Sequence, residues 1–268
     1  MHKILLAIVM TITLLFGHGV YADKGEQSQT DKSKPTQTIP KEQWADLLKK
    51  LDKSEANAED QKGNMSIILI DKDGKRSMRS AIFFQKGTDR RIVQFKSPAN
   101  VAGLSVLIRG DDIHLYLPQF RRTRRIASHV KNQPFMGTDL SFDDLGSIQY
   151  SNAYDVTNAQ LLADGKYQLE LRPKSNASKQ YSKLLVTMSE KHTLLSILYF
   201  DDKGQNIKRM DRSDFRNQKG YVFPYEIKYC DVLRKHCTIV RMEEVKINTR
   251  IRESFFSTRY LRRDLDID

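Results

Sequence analysis

The sequence predicts a mainly β protein of the α+β type, built on one large antiparallel sheet. Three observations carry this. After Gly63 the hydrophobic pattern alternates with a period of two, in runs rich in Ile, Val, Phe, Tyr and Leu. The pairs Asp73-Gly74, Asp164-Gly165, Lys203-Gly204 and Lys219-Gly220 mark tight turns between such runs, and these connections are too short for parallel crossovers. Only three short stretches, 41–52, 139–148 and 254–262, read as helical.

The chain opens on an export signal over 1–22. Lys3 supplies the positive start, Ile4 to Phe16 is apolar apart from Thr11 and Thr13, and Val20-Tyr21-Ala22 gives a small-x-small cleavage site. The apolar run is shorter than the roughly 20 residues a spanning helix needs. No cysteine stands near the cut, so the mature chain is expected to be soluble, not lipidated, and periplasmic. A polar leader follows over 23–40. From Asp23 to Thr38 it has no aliphatic or aromatic residue and so nothing to bury. The remainder is read as a single β domain over 41–262 with a tail at 263–268.

Pro40 opens the first helix, where its fixed φ is favourable. Trp44, Leu47, Leu48 and Leu51 then form one apolar stripe at i, i+3, i+4 and i+7, which is expected to dock on the domain. Strands are expected near 64–70, 76–85, 90–96, 101–108, 113–117, 122–127, 154–162, 166–172, 182–188, 193–200, 205–215, 222–230 and 237–247. Between the two groups, Thr138 or Asp139 can cap a helix whose acidic first turn, Asp143 and Asp144, suits the N-terminal dipole. Leu140, Leu145 and Ile148 would face the sheet, with Phe142 beside them. The acidic residues are better explained by capping and by pairing with arginines than as a cation site.

The only two cysteines, Cys230 and Cys237, lie where alternation on both sides predicts a hairpin. In an oxidising compartment a disulfide between them is the expectation. The formal charge of +12 suits an exported protein that meets anionic lipid surfaces or acidic partners rather than nucleic acid, and it also serves solubility. No nucleophile elbow, zinc-binding helix motif, phosphate loop or dinucleotide fingerprint is present, so no catalytic residue, metal or cofactor is expected.

Two patterns point to binding. In the stretch 101–108, Leu104, Val106 and Ile108 oppose Val101, Ser105 and Leu107, so both faces are largely apolar; 193–200 shows the same. Either helices fill the inner face of the sheet, or apolar surface is left for a ligand. The strand near 122–127 carries guanidinium groups on both faces, with Arg122 and Arg124 opposed to Arg121 and Arg125. Such a strand belongs on a rim or edge, as a contact for phosphate or carboxylate or as a guard against aggregation.

With Pro98 to Gly103, Leu115 to Pro118, the Arg121–Arg125 cluster and the run Phe135 to Leu145 (FMGTDLSFDDL), the chain resembles the outer-membrane lipoprotein-sorting protein family of LolA-like exported proteins. The resemblance runs over most of 41–262. It implies a strongly curved antiparallel sheet, an incomplete barrel with short helices over its concave face. It also implies a carrier or chaperone that shields acyl chains of a lipoprotein or lipid, with an outer-membrane acceptor or envelope transporter as partner. On this reading Leu104, Val106, Ile108, Phe135, Met136 and Phe142 line an apolar cavity. Arg121, Arg122, Arg124 and Arg125 stand on its rim toward a headgroup or partner. An accessory or signalling module gripping a membrane protein is the second reading, and a cofactor-free enzyme the third.

Overall fold

The computed structural model describes residues 36–55, 58–146, 149–175, 177 and 180–267. These lie in the larger of two compact units, Lys32–Asp268. The export signal and the leader as far as residue 35 fall outside the described residues.

One fourteen-stranded sheet contains β1 (Gln37–Thr38), β2 (Asp60–Ile70), β3 (Arg76–Lys86), β4 (Arg90–Ser97), β5 (Ser105–Arg109), β6 (Asp112–Leu117) and β7 (Arg122–Arg125). It continues with β8 (Tyr154–Leu161), β9 (Tyr167–Pro173), β10 (Lys183–Met188), β11 (Leu194–Phe200), β12 (Asn206–Gln218), β13 (Tyr221–Asp231) and β14 (His236–Ile247). Each strand expected between 64 and 247 is present, and β1 is an addition. The order is two meanders, β2 to β7 and β8 to β14, joined where β14 pairs antiparallel with β2. The sheet does not close, and β1 and β7 form its edges.

The seam between β14 and β2 depends on one glycine. A bulge between Met242 and Glu244 shifts the register there. The Glu244 carbonyl oxygen is thereby brought within 1.9 Å of where a Cβ on Gly63 would stand. Only a residue without a side chain fits.

Three apolar clusters form because different parts of the sheet are covered from different sides. α1 (Trp44–Glu55) buries Leu47, Leu48 and Leu51 against β8 to β12, as its stripe predicts. Trp44 Nε1 donates to the Ile39 carbonyl at 2.9 Å, which fixes the entry to the helix. A second cluster lies on the inner face of β2 to β6, β13 and β14 under the segment that crosses from β7 to β8. The third lies on the outer face of β3 to β5, under the C-terminal residues.

That third cluster corrects one expectation. Residues 254–262 form two 3₁₀ turns, Glu253–Phe255 and Tyr260–Arg262, and pack on the outer face rather than over the concave one. Phe256, Leu261, Leu265 and Ile267 cover Ile82, Phe84, Ile92 and Leu107, which is why β5 is apolar on both faces. Buried polar groups hold the segment in place. The Asp60 carboxylate accepts from Thr249 N at 2.7 Å, Thr249 Oγ1 at 2.9 Å and Ile251 N at 2.9 Å. The Gln94 amide donates to Arg263 O at 2.7 Å and accepts from Leu265 N at 2.9 Å.

Two further expectations change. The strand placed at 101–108 begins only at Ser105, because Val101 to Gly103 form a turn in which Gly103 has φ +79°. Val101 and Leu104 therefore enter the same inner cluster instead of opposite faces. Among the described residues 139–146 there is no helix; α2 (Tyr150–Ala153) is the helix found after them. The acidic side chains there do not serve a helix N-terminus but bond to distant strands and to local turn amides, which holds the backbone in turns. The disulfide joins Cys230 to Cys237 directly across the β13–β14 pair.

Candidate functional site

The segment from Ile126 to Ala153 links the edge strand β7 to β8, the strand next to the opposite edge, and its part from Phe135 to Leu145 packs onto the inner face. It is anchored by side chains it meets only in the folded state. The Asp139 carboxylate, fully buried, accepts from Thr238 Oγ1 at 2.7 Å and faces His236 Nδ1 at 2.7 Å, with Arg234 at 3.4 Å. Hydroxyl and imidazole both spend themselves on the carboxylate, so this is a latch and not a nucleophile–base pair. Asp144 is the second anchor. It takes an ion pair from Lys208 Nζ, a hydrogen bond from Tyr181 OH at 3.1 Å, and bonds from Ser141 N and Oγ at 2.6 and 2.8 Å. Lys208 Nζ also donates to Tyr181 OH at 3.0 Å and lies 4.9 Å from the centre of the Tyr199 ring.

Beneath this segment a cavity of about 210 Å³ opens on the inner face. Its walls include Met65, Phe83, Phe95, Phe223, Val240 and Met242, with Leu140 and Leu145 as part of the roof. One end is polar. Arg91 and Gln85 lie there, joined by a 3.0 Å bond from Arg91 Nε to Gln85 Oε1. Beside them Arg212 and Glu55 form a two-pronged ion pair with both bonds at 2.6 Å. Desolvation draws the Arg91 guanidinium below its usual range, opposed by the fields of Tyr229 and Glu55 and reinforced by Arg212. Arg212 suffers the same desolvation, but the charge and hydrogen bonds of Glu55 outweigh it and hold its proton more firmly.

A second, more polar cavity of about 840 Å³ shares Asp144, Arg212 and Tyr229 with the first. Tyr150, Tyr154, Tyr181 and Tyr199 also line it. Burial pushes the Tyr229 hydroxyl up to about 12 and those of Tyr150 and Tyr199 well above the normal phenol value. At neutral pH these phenols are uncharged.

The expected site residues fall into three places. Val106, Ile108 and Phe135 stand in the wall of the apolar cavity. Leu104 and Phe142 are buried in the same cluster behind that wall, with the Phe142 ring 5.3 Å from Phe135. Met136 is half-buried at the margin of the cluster, and its carbonyl accepts from Arg79 Nη1 at 2.7 Å. Arg121 lies in the turn before β7, and Arg122, Arg124 and Arg125 lie on β7 itself. All four are exposed at the sheet edge, and none forms part of the cavity wall. Arg125 pairs with Asp112. Among the described residues Arg121, Arg122 and Arg124 have no side-chain partner.

Sequence reasoning missed Arg91, Arg212, Glu55, Lys208 and Tyr181. Arg91 had a signal, since it stands in phase with Val93 and Phe95 on the inner face of β4. Among the described residues no group of three or more His, Cys, Asp or Glu gathers as a metal site. None of the described helices is long and apolar enough to cross a membrane.

A family model described as "Uncharacterized protein" matches residues 87–263. No curated protein matches the sequence. Among solved structures the chain is similar to a domain from Vibrio parahaemolyticus that carries the name outer membrane lipoprotein-sorting protein. That likeness has 22% identity, a TM-score of 0.74, and covers 83% of this chain and 99% of that one. A DUF1329 family protein from Desulfovibrio piger is similar at 23% identity and TM-score 0.76, over 84% and 100% of the two chains. A LolA superfamily protein from Nitrosomonas europaea is similar at 18% identity and TM-score 0.67, over 81% and 98%. The fold is therefore LolA-like.

Proposed function

The chain belongs to the family whose model spans residues 87–263, and from its fold and cavity we propose that it is a periplasmic carrier. It would leave the cytoplasm through a signal cut after Ala22 and hold the acyl chains of a lipoprotein or lipid. The observation that carries this reading is the cavity beneath the crossing segment, with Val106, Ile108 and Phe135 in its wall. At about 210 Å³ it exceeds the roughly 150 Å³ apolar cavity that takes up benzene but falls short of the roughly 300 Å³ at which drug-sized ligand pockets begin. In this state it has room for only part of an acyl chain, and on this reading the roof from Phe135 to Leu145 lifts to admit a whole one. Binding draws on burial of apolar surface at about 25 cal/mol per Å², less the cost of association.

Native mass spectrometry of gently purified mature protein, with solvent extraction, tests this. A mass beginning at Asp23 and an extractable acyl lipid are the expected results. A folded protein that carries no lipid and takes none up from vesicles would show the carrier reading to be wrong.

The exposed arginines support a contact with an anionic membrane surface or an outer-membrane acceptor. Phe120, 67% exposed, precedes them. Changing Arg122 and Arg124 together to Glu is expected to leave the fold intact, because neither side chain has a partner. Affinity for phosphatidylglycerol vesicles should fall by roughly 30-fold or more at low salt, given about 1 kcal/mol per basic residue near an anionic surface. The loss should shrink as salt is added. Unchanged vesicle binding at low salt would reduce the cluster to edge protection of β7. The same surface serves the second reading, an accessory module gripping an envelope membrane protein; a stable protein complex without lipid would favour it.

A further inference from the structure

A charge on the inner face is best held by a counter-charge, and of the three cations Lys208, Arg212 and Arg91 only Arg91 has none among the described residues. Lys208 has Asp144, and Arg212 has both oxygens of Glu55. Arg91 has only the neutral Gln85, bonded through Nε. Its terminal nitrogens Nη1 and Nη2 have no partner among the described residues, and they belong to a side chain in the wall of the apolar cavity. Glu55 is the carboxylate whose field Arg91 feels, but it is committed to Arg212, whose own charge repels Arg91.

The register explains why Arg91 points inward. It stands opposite Ile108 of β5 and Gln85 of β3, and it alternates with Ile92, which faces the C-terminal segment on the outer side. Arg91 is thus a guanidinium fork at one end of an apolar chamber. A fork with two free nitrogens matches carboxylate or phosphate oxygens two at a time.

We propose that Arg91 is an anion-recognition residue inside the cavity, and that the preferred ligand is a single acyl chain ending in a carboxylate or phosphate. The proposal rests on the carrier reading and narrows it. The apolar wall at Phe83, Phe95 and Val106 takes the chain, and Arg91 takes the head, with Gln85 fixing the guanidinium plane. A neutral acyl chain fills the wall but leaves the guanidinium unpaired. Headgroup charge therefore sets selectivity from inside the cavity, independently of the exposed arginines on β7.

Calorimetric titration of the mature protein at pH 8 with decanoate, decyl phosphate and decan-1-ol tests this. At least one anion is expected to bind about tenfold or more tighter than the alcohol, since hydrogen bonds to charged groups contribute about 1.5–3 kcal/mol. Whether decanoate or decyl phosphate leads identifies the head. Arg91→Met should bring the ratio of anion to alcohol affinity to within about twofold, and Arg91→Lys should keep part of it, since the charge survives without the fork. If the three ligands bind wild-type protein equally, the Arg91 assignment falls and the carrier reading stands. If the preference for anions survives in Arg91→Met, another cation carries it and the assignment again falls. If folded wild-type protein binds none of the three, both readings fail. Should Arg91→Met fold poorly, the ranking of the three ligands on wild-type protein still upholds or overturns the assignment.

Discussion

Replacing Asp144 by alanine is expected to cost about 3–5 kcal/mol of stability, the range seen when one partner of a buried ion pair is removed. The side chains of Lys208 and Asp144 are only 7% and 6% exposed. Without the carboxylate, the ammonium keeps a bond to Tyr181 OH and three aromatic rings but no negative charge. Ser141 N and Oγ lose their acceptor in the same step. Urea unfolding followed by circular dichroism should show a lower midpoint with little change in slope. The double change Asp144→Leu with Lys208→Met should recover at least half of the loss, because no charge then stays buried. A single-mutant loss under about 1 kcal/mol would mean that the pair is no more than a surface contact. The crossing segment would then need another anchor, with Asp139 the next to test.

Gly63→Ala is expected to cost about 3 kcal/mol, at the upper end for overpacking a close contact. The added carbon would stand 1.9 Å from the Glu244 carbonyl oxygen and 3.0 Å from Phe83 Cε1. Either the β14–β2 seam opens or the bulge at Met242–Glu244 moves, and that seam is what joins the two meanders. Gly74→Ala provides the comparison. It has φ +79° but nothing within 4 Å of the new carbon, so it should cost about 1–2 kcal/mol from backbone strain alone. Equal losses at the two sites in urea unfolding would show that the seam tolerates the extra atom.

Much of the sheet was legible because strand patterning is a local property. One face of each strand meets a core and the other meets water or a thin cover, so residues two apart share an environment wherever the chain pairs. The hairpin that holds Cys230 and Cys237 was readable for the same reason, since the two cysteines stand only 7 residues apart. The arginines of β7 were legible as an edge because charge on both faces of a strand excludes a buried position.

The crossing segment was misread where locality ended. Acidic residues after Thr138 look like a helix start, yet Asp139 is spent on Thr238 and His236, and Asp144 on Lys208 and Tyr181. The inner face of β12 hid in the same way. Lys208, Met210 and Arg212 alternate with Arg209, Asp211 and Ser213, so both faces read as polar and neither announces burial. By itself the sequence determined the strands, most of their order along the chain, the cysteine pair and the charged edge. Only the tertiary structure decided which charges go inside and which one is left facing the cavity. Arg212 finds Glu55 across 157 residues and Lys208 finds Asp144 across 64. Pairings at that range leave no local pattern, because the free energy of burying a charge depends on the partner it meets after folding and not on its neighbours along the chain.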